Sequence, residues 1–282
     1  MKKNSNLKEF YIILSLILLI LVGFVIYRLG SWPTIHFYKW HGLDMVDNPG
    51  DLIPLEDYEL SSNLMIISSE HPVDKSYIPS IVEYRETGVF MSEDITEEYG
   101  VLSDYIRTNM NNTLYIESSY RSYEDQERVL AEVGAEIAAQ PGCSEHQSGL
   151  ALDVYVMYFG GSAFTNSYVG KFVNTNCGDF GFIIRYPAGK ENITGFNYEP
   201  WHIRYVGMPH SKIITEGGIT LEEYIDSLKT DNWYSYNNYL ISRQSPDNLR
   251  IPSKYKNNDI QVSPDNTGYY IITISTDKLK GA

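Results

Sequence analysis

The most hydrophobic stretch of the sequence is an uncharged run from Phe10 to Tyr27, which is rich in isoleucine and leucine. Its eighteen residues would form a helix of about 27 Å, close to the ~30 Å thickness of a bilayer's hydrocarbon core. The run is longer than the apolar core of a signal peptide, and no small-residue cleavage site follows it. The pattern predicts an uncleaved transmembrane signal anchor over 10–27, with a cleaved signal peptide or a buried helix as alternatives.

The charges beside this run predict its orientation. Lys2, Lys3 and Lys8 precede it, and only Arg28 follows closely. Positive charge is retained on the cytoplasmic side of a membrane. We therefore expect a cytoplasmic tail over 1–9 and a single-pass protein whose later residues lie outside the membrane.

Shorter hydrophobic segments follow, and one of them has helical spacing. Residues 28–59 contain several prolines and little periodicity, which predicts a stalk. Ser122 is placed to begin a helix. The apolar positions after it predict a buried stripe made of Val129, Leu130, Val133 and Ile137. The predicted strands are Leu64–Ile67, Leu114–Glu117, Gly149–Val156, Phe182–Arg185 and Trp201–Val206.

The order of these elements predicts the domain organisation. A mixture of strands and helices over 60–228 indicates an α+β catalytic-sized domain. Residues 229–282 are rich in tyrosine, asparagine and short β-branched runs, with Tyr269–Ser275 as the clearest strand. We expect this segment to form a small β-rich C-terminal appendage.

Composition excludes several classes of protein. The chain has 282 residues, of which 43% are hydrophobic and 21% charged, so it is expected to fold around a core. Its 36 acidic and 22 basic residues give a net charge of −14. Such a chain lacks the basic face that binds nucleic acid. Two cysteines are too few for a disulfide scaffold or a four-cysteine zinc ribbon.

Two short stretches contain candidate metal ligands. The first is SEHQSGLALD at 144–153, and the second is EPWHIR at 199–204. Together they supply His146, Asp153 and His202, a set that can hold zinc and leave one coordination position open, as catalytic sites do. A further carboxylate, Glu199, is available to move a proton. From spacing alone, ordinary structural histidines remain the alternative, and the helix-borne H-E-x-x-H signature is absent.

These stretches resemble those of a known family. The pattern S-x-H-x-x-G-x-A-x-D with E-x-x-H, preceded by SYRS at 119–122, is similar to the LAS metallopeptidases, named after lysostaphin, D-Ala-D-Ala metallopeptidases and sonic hedgehog. RYP at 185–187, EPWHIRYVG at 199–207 and LEEY at 221–224 resemble the VanY-type D-alanyl-D-alanine carboxypeptidases within that family. The resemblance covers about residues 60–228 and implies a LAS-type antiparallel sheet with flanking helices.

The resemblance also implies roles for individual residues. His146, Asp153 and His202 are expected to bind Zn²⁺. Glu199 is expected to act as general base, and Arg121 to stabilise the oxyanion. The residues expected to line the substrate cleft are Gln126, Ser144 and Trp201. Ordinary packing is an open alternative for Trp201, and a surface salt bridge for Arg121.

Three further residues have open interpretations. Arg204 is expected either to support the zinc ligands or to contact substrate. Cys143 and Cys177 depart from the family pattern. A disulfide between them would close a loop of about 35 residues and stabilise the fold by ~3–4 kcal/mol in the chain-entropy model. The alternatives are two unpaired cysteines, or Cys143 as a fourth zinc ligand.

The function that the resemblance implies is zinc-dependent removal of the terminal D-Ala from peptidoglycan pentapeptide stems, at the outer face of a bacterial cell membrane. It also implies a role in vancomycin-type resistance. The motifs do not exclude an L,D-carboxypeptidase, an endopeptidase or a non-catalytic zinc module that binds cell wall. They do not indicate the oligomeric state.

Overall fold

The computed structural model describes residues 42–136 and 138–277. The predicted tail and signal anchor, together with the first part of the predicted stalk, lie outside these residues. Within them, no helix is both long and apolar enough to cross a bilayer.

The secondary structure mixes short strands with short helices. The strands are β1 Asp44–Met45, β2 Leu52–Pro54, β3 Ile81–Glu83, β4 Phe90–Ser92, β5 Tyr115–Ser118, β6 Ala151–Tyr155, β7 Phe182–Ile184, β8 His202–Tyr205, β9 Trp233–Tyr236, β10 Tyr239–Gln244, β11 Arg250–Pro252, β12 Ile260–Pro264 and β13 Tyr270–Ser275. The α-helices are α1 Thr96–Met110, α2 Tyr123–Val133, α3 Tyr168–Asn176, α4 Glu191–Thr194, α5 His210–Gly217 and α6 Leu221–Ser227. The predicted α+β class is confirmed.

One antiparallel sheet of four strands, in the order β5-β6-β8-β7, lies at the centre of the predicted catalytic region. Side chains alternate between the two faces of a strand. Leu152 and Val154 of β6 and Ile203 of β8 therefore pack into the core beneath α1 and α3. The opposite face carries Asp153, which lies directly across from His202 in the register of the sheet.

A second antiparallel sheet, in the order β1-β9-β10-β13-β12, contains the C-terminal strands. Strand β1 pairs with β9, and β2 pairs with β11. Residues 44–54, which the sequence predicts as part of a stalk, thus belong to the β structure at the other end of the chain. Their pairing partners lie about 200 residues away, so no local pattern could reveal them.

The C-terminal strands share a hydrophobic core with the catalytic region. Tyr234, Ile241 and Ile271 are in the same buried cluster as Ile213 of α5 and Ile225 of α6. The described residues accordingly form one compact unit. The predicted C-terminal segment is rich in strands, as expected. It also contains a buried cluster of its own, which includes Trp233, Leu240, Val262 and Ile272, in addition to the cluster that it shares with the catalytic region.

Leu64–Ile67 does not form the predicted strand, although all four residues are buried. This segment is irregular, and its backbone is held by the C-terminal region. The amide of Leu64 donates to Ser263 Oγ, and the side-chain amide of Asn266 donates to the carbonyl of Ile66. The segment's run of apolar residues suggested a buried strand, but its backbone does not form the regular hydrogen bonds of a β-sheet.

The two cysteines are both free thiols, so the disulfide alternative is wrong. Cys177 is fully buried in the main core, where burial raises its pKa to about 12. Cys143 is partly exposed. The structure favours the reading in which both are unpaired.

Candidate active site

A tight turn places the first predicted ligand. Residues Glu145–Ser148 form one turn of 3₁₀ helix, which ends at Gly149 with φ of 70°. A Cβ atom at Gly149 would lie 2.7 Å from the backbone nitrogen of Ser92, so only glycine fits this position. The turn therefore holds His146 immediately before β6 begins.

Three neighbouring strands bring polar side chains together on one face of the central sheet. Ser118 on β5 and His202 on β8 both lie opposite Asp153 on β6. The pairing of β5 with β6 shifts register between Ile116 and Ser118. Such bulges commonly re-aim side chains beside active sites. Ser118, Asp153 and His202 therefore form a row of polar side chains across three strands of the sheet.

The predicted ligand atoms converge on one point. His146 Nε2 lies 3.3 Å from Asp153 Oδ2, and His202 Nδ1 lies 2.9 Å from Asp153 Oδ1. One potential ligand atom from each residue falls within 4.8 Å of the others. His146 Nδ1 donates to the Ser119 carbonyl over 2.9 Å, so in the neutral ring Nε2 is unprotonated and free to bind metal. Two imidazole nitrogens and a carboxylate are a donor set that zinc binds.

The electrostatic environment keeps Asp153 in its carboxylate form. Burial by itself would raise the pKa of Asp153, but His146 and His202 outweigh burial and hold the pKa below its usual range. Among the described residues, the potential ligand atoms that converge here come from His146, Asp153 and His202 and not from Cys143. A fourth ligand from Cys143 is thus not supported.

Glu199 lies beside the metal-binding group. Its Oε2 is 3.9 Å from His202 Nδ1, and 27% of its side chain is exposed. The turn before β8 fixes it, because its backbone amide donates to the Tyr186 carbonyl and its carbonyl accepts from the His202 amide. Burial raises the pKa of Glu199 above its ordinary value. A carboxyl in such a setting is suited to receive and release a proton.

Arg121 is held on the other side of the group by two hydrogen bonds. Its guanidinium donates to Gln126 Oε1 over 2.8 Å and to Ser118 Oγ over 2.9 Å. Gln126 is fixed in turn, since its Nε2 donates to the Ala139 carbonyl over 2.7 Å. Burial lowers the pKa of Arg121, but a guanidinium remains charged in proteins. Arg121 therefore presents a fixed positive charge.

The metal-binding group, Glu199, Arg121 and Gln126 line one cavity of about 370 Å³. The structure thus brings together every residue that the sequence assigns to the site, which are Arg121, Gln126, Ser144, His146, Asp153, Glu199, Trp201 and His202. Phe196 and Tyr186, which the sequence analysis did not assign, form an aromatic part of the wall; their stacked rings have centroids 4.4 Å apart.

Helix α2 forms a further wall of the cavity. Val129 and Val133, predicted as part of a buried stripe, line the cavity, and Val133 is 45% exposed. Gln126 is the buried residue of this helix. Val129 and Val133 face the cleft and not the core, so the predicted burial is wrong for this part of the stripe. Leu130 is partly buried, and Ile137 lies outside the described residues.

A buried charge network, which the sequence motifs did not predict, lies behind the metal-binding group. Glu145 is fully buried, and its Oε1 accepts from Arg185 Nε and from Arg204 Nη1, each over 2.7 Å. Arg185 also donates two hydrogen bonds to the carboxylate of Glu222 on α6. Burial would raise the pKa of Glu145, but Arg204 and Arg185 outweigh burial and hold the pKa well below its usual range. Glu145 is therefore a carboxylate.

This network could not be read from local spacing. The two arginines follow Glu145 by 40 and 59 residues. Arg204 was expected to support the ligands or to contact substrate, and it is completely buried. It also donates to backbone carbonyls of Ser62, Asn63 and Met65. These bonds make support the better interpretation.

An aspartate and a histidine on neighbouring antiparallel strands, a second histidine on the turn before them, and a glutamate and a fixed arginine beside this group define a metallopeptidase. Comparisons with known proteins agree. The family model described as VanY, D-alanyl-D-alanine carboxypeptidase, matches residues 90–208. A D-alanyl-D-alanine carboxypeptidase from Enterococcus faecium is 34% identical over 256 residues, which are 81% of this chain and 82% of the relative. The chain therefore belongs to the VanY D-alanyl-D-alanine carboxypeptidase family, and it is a metallo-carboxypeptidase.

Solved structures have the same fold. A mutant of the vancomycin-resistance D,D-pentapeptidase VanY from a VanB-type cassette, in complex with Zn(II), has a TM-score of 0.52 and 31% identity, covering 58% of this chain and 98% of that one. The LD-carboxypeptidase LdcB has a TM-score of 0.54 and 30% identity, covering 63% of this chain and 94% of that one. Fold similarity alone therefore does not distinguish D,D from L,D specificity.

Proposed function

We propose that this chain is a zinc-dependent D-alanyl-D-alanine carboxypeptidase that removes the terminal D-Ala from peptidoglycan stem pentapeptides. The observation that carries the proposal is the convergence of His146, Asp153 and His202 in one cavity with Glu199 and Arg121. The E. faecium relative supports the D,D substrate class.

The ligand residues fit a zinc ion, and their protonation is arranged for it. His146 offers Nε2 because its Nδ1 proton is bound by the Ser119 carbonyl. His202 offers Nδ1, and Asp153 offers a carboxylate oxygen. When bound, Zn²⁺ supplies Lewis acidity toward a carbonyl oxygen and toward water.

Glu199 moves the proton in this proposal. Hydrolysis of the terminal peptide bond requires a proton to leave the attacking water and a proton to reach the departing amine. Glu199 is the carboxylate placed to do both, because it lies beside His202 at the edge of the cavity. Its raised pKa makes it a better base and lets it hold the proton between the two steps.

Arg121 stabilises the negative charge that develops on the scissile carbonyl oxygen. Preorganised donors of this kind contribute strongly, because they are already oriented before the charge forms. Gln126 and Ser118 provide that orientation. We assign Gln126 chiefly to holding Arg121, since both ends of its amide are bonded within the protein. Ser144 and Trp201 line the cleft beside the metal-binding group.

The proposal places the enzyme on the outer face of a bacterial cell membrane, anchored through residues 10–27. The hydrophobic run and the lysines before it support this location. Removing the terminal D-Ala destroys the D-Ala-D-Ala end that glycopeptide antibiotics bind, so we also propose a role in vancomycin-type resistance.

The test is release of D-Ala by the full-length chain from a pentapeptide ending in D-Ala-D-Ala and from the matching tetrapeptide. Each assay is run with and without a zinc chelator. Chelator-sensitive release from the pentapeptide alone is the expected result. Release from the tetrapeptide alone would instead identify an L,D-carboxypeptidase, and zinc binding without release from either would favour an endopeptidase or a binding module.

Glu199→Gln is the matched variant. It keeps the size of the side chain and removes the base, so kcat should fall by roughly 10²-fold or more while bound zinc remains stoichiometric. A variant that retained the wild-type kcat would exclude Glu199 as the base.

A further inference from the structure

The environment of His202 points to an additional positioning residue. His202 has two ring nitrogens with different surroundings: Nδ1 faces Asp153 at 2.9 Å, and Nε2 faces Glu145 Oε2 at 3.6 Å. Both Nε2 and Oε2 are buried, and neither has a hydrogen-bond partner among the described residues. Buried polar atoms without partners are rare, because each carries an uncompensated desolvation cost.

We propose that Glu145 is a positioning residue for zinc binding: its Oε2 accepts the Nε2 proton of His202 and so directs Nδ1 at the metal. This inference rests on the proposed function, because it concerns how the same metal-binding group is prepared. Glu145 does not touch substrate in this assignment, and it acts through His202.

Chemistry supports the direction of that hydrogen bond. A neutral imidazole carries one proton, and metal can bind only the nitrogen without it. If Nδ1 is the ligand, the proton must be on Nε2, and a carboxylate is one of the usual acceptors for the second ring nitrogen of a metal-binding histidine. The separation of 3.6 Å between Nε2 and Oε2 is longer than a hydrogen bond, so the proposal requires these two atoms to approach to about 3 Å.

The surrounding charges keep Glu145 available for this role. Arg185 and Arg204 both donate to Oε1, which leaves Oε2 free and turned toward His202. All three of these side chains are at most 1% exposed. Arg204 is itself fixed by three backbone carbonyls, so the acceptor cannot readily swing away.

The first experiment uses the wild-type full-length chain labelled with ¹⁵N-histidine and loaded with zinc. The tautomer of His202 is read from its two-bond nitrogen–proton couplings, among only six histidines in the chain. We expect a proton on Nε2 that exchanges slowly with solvent. A proton on Nδ1, or an Nε2 proton that exchanges as in a free ring, would overturn the proposal. Failure of the wild-type chain to bind zinc would overturn the proposed function as well.

The second experiment measures zinc affinity by competition with a chelator. Glu145→Gln should weaken zinc binding by roughly 10–100-fold, the effect usual for such supporting groups. Glu222→Gln is the first control, because Glu222 holds the far end of Arg185 and does not face His202. Its zinc affinity should stay within about 3-fold of wild type, well below the loss expected for removing the histidine's own acceptor.

Asp265→Asn is the second control, for general destabilisation. Asp265 is also a fully buried carboxylate that pairs with an arginine, Arg243, but it lies in the C-terminal region. It should lower the unfolding temperature without changing zinc affinity. Unchanged affinity in Glu145→Gln, or an equal loss in either control, would contradict the positioning role.

Discussion

At the scale of single residues, the geometry of Arg121 makes a sharp prediction. Its planar guanidinium reaches Gln126 and Ser118 at once, which a single ammonium group cannot reproduce. Arg121→Lys should therefore lower kcat by roughly 10²-fold with little change in KM, because the lost interaction forms mainly in the transition state. Steady-state kinetics with the pentapeptide provide the measurement.

Arg128→Lys is the control for this substitution. Arg128 lies on α2, the helix that begins just after Arg121, but it is 74% exposed and pairs with Asp125 on the surface. It should leave both kinetic constants unchanged. An equal loss in the two variants would mean that Arg121 has no special role.

His210 predicts a dependence of stability on pH. It is buried between Tyr224 Oη and Thr273 Oγ1, and burial lowers its pKa to about 3 from an ordinary 6.5. The unfolded chain therefore takes up a proton below pH 6.5 that the folded chain refuses. The contribution of neutral His210 to stability is complete above about pH 6.5 and is lost as the pH falls toward 3.

The measurement is the free energy of unfolding of the zinc-free chain at pH 7 and pH 5. His210→Gln should reduce the loss between these two pH values by about 2 kcal/mol relative to wild type. The same loss in both proteins would show that His210 does not cause it.

At the scale of secondary structure elements, the start of α2 links stability to catalysis. Ser122 caps the helix and forms a reciprocal capping box with Asp125, directly after Arg121. Ser122→Ala should lower the free energy of unfolding by about 1 kcal/mol and should also lower kcat, because the helix end orients Arg121. Thermal unfolding and kinetics test the two effects together.

Thr220 provides the matched control, since it forms the same capping box with Glu223 at the start of α6. Thr220→Ala should cost a similar stability and leave kcat unchanged. A kcat loss in both variants would assign the effect to stability alone.

The secondary structure elements also differ in how well the sequence predicts them. The strands that carry Asp153 and His202, and the helix start at Ser122, were predicted because alternation and capping are local signals. The irregular segment at 64–67 and the strands at 44–54 were not, because their partners lie near the other end of the chain. Glu145 was missed for the same reason: its charge partners, Arg185 and Arg204, follow it by 40 and 59 residues.

At the scale of the whole molecule, the shared core predicts that the C-terminal strands are needed for folding. A chain that ends at residue 228 would expose Ile213, Tyr224 and Ile225, which pack against Ile241 and Ile271. Burying one such side chain contributes about 1.5–3 kcal/mol, so losing several removes a large part of a typical domain's stability. We expect this truncated chain to lack cooperative thermal unfolding and zinc binding. Wild-type behaviour in both measurements would show that the region before 229 folds alone.

The position of Val129 and Val133 on the cavity wall has a consequence for how this enzyme could change over time. Because these side chains line the cleft and not the core, replacing them alters the space available to a peptide at little expense to folding. The proposed zinc ligands Asp153 and His202 are on strands of the central sheet, and the buried charge network lies behind them. These two positions of α2 are therefore where selection or design can change the choice of substrate while the residues that carry out hydrolysis stay the same.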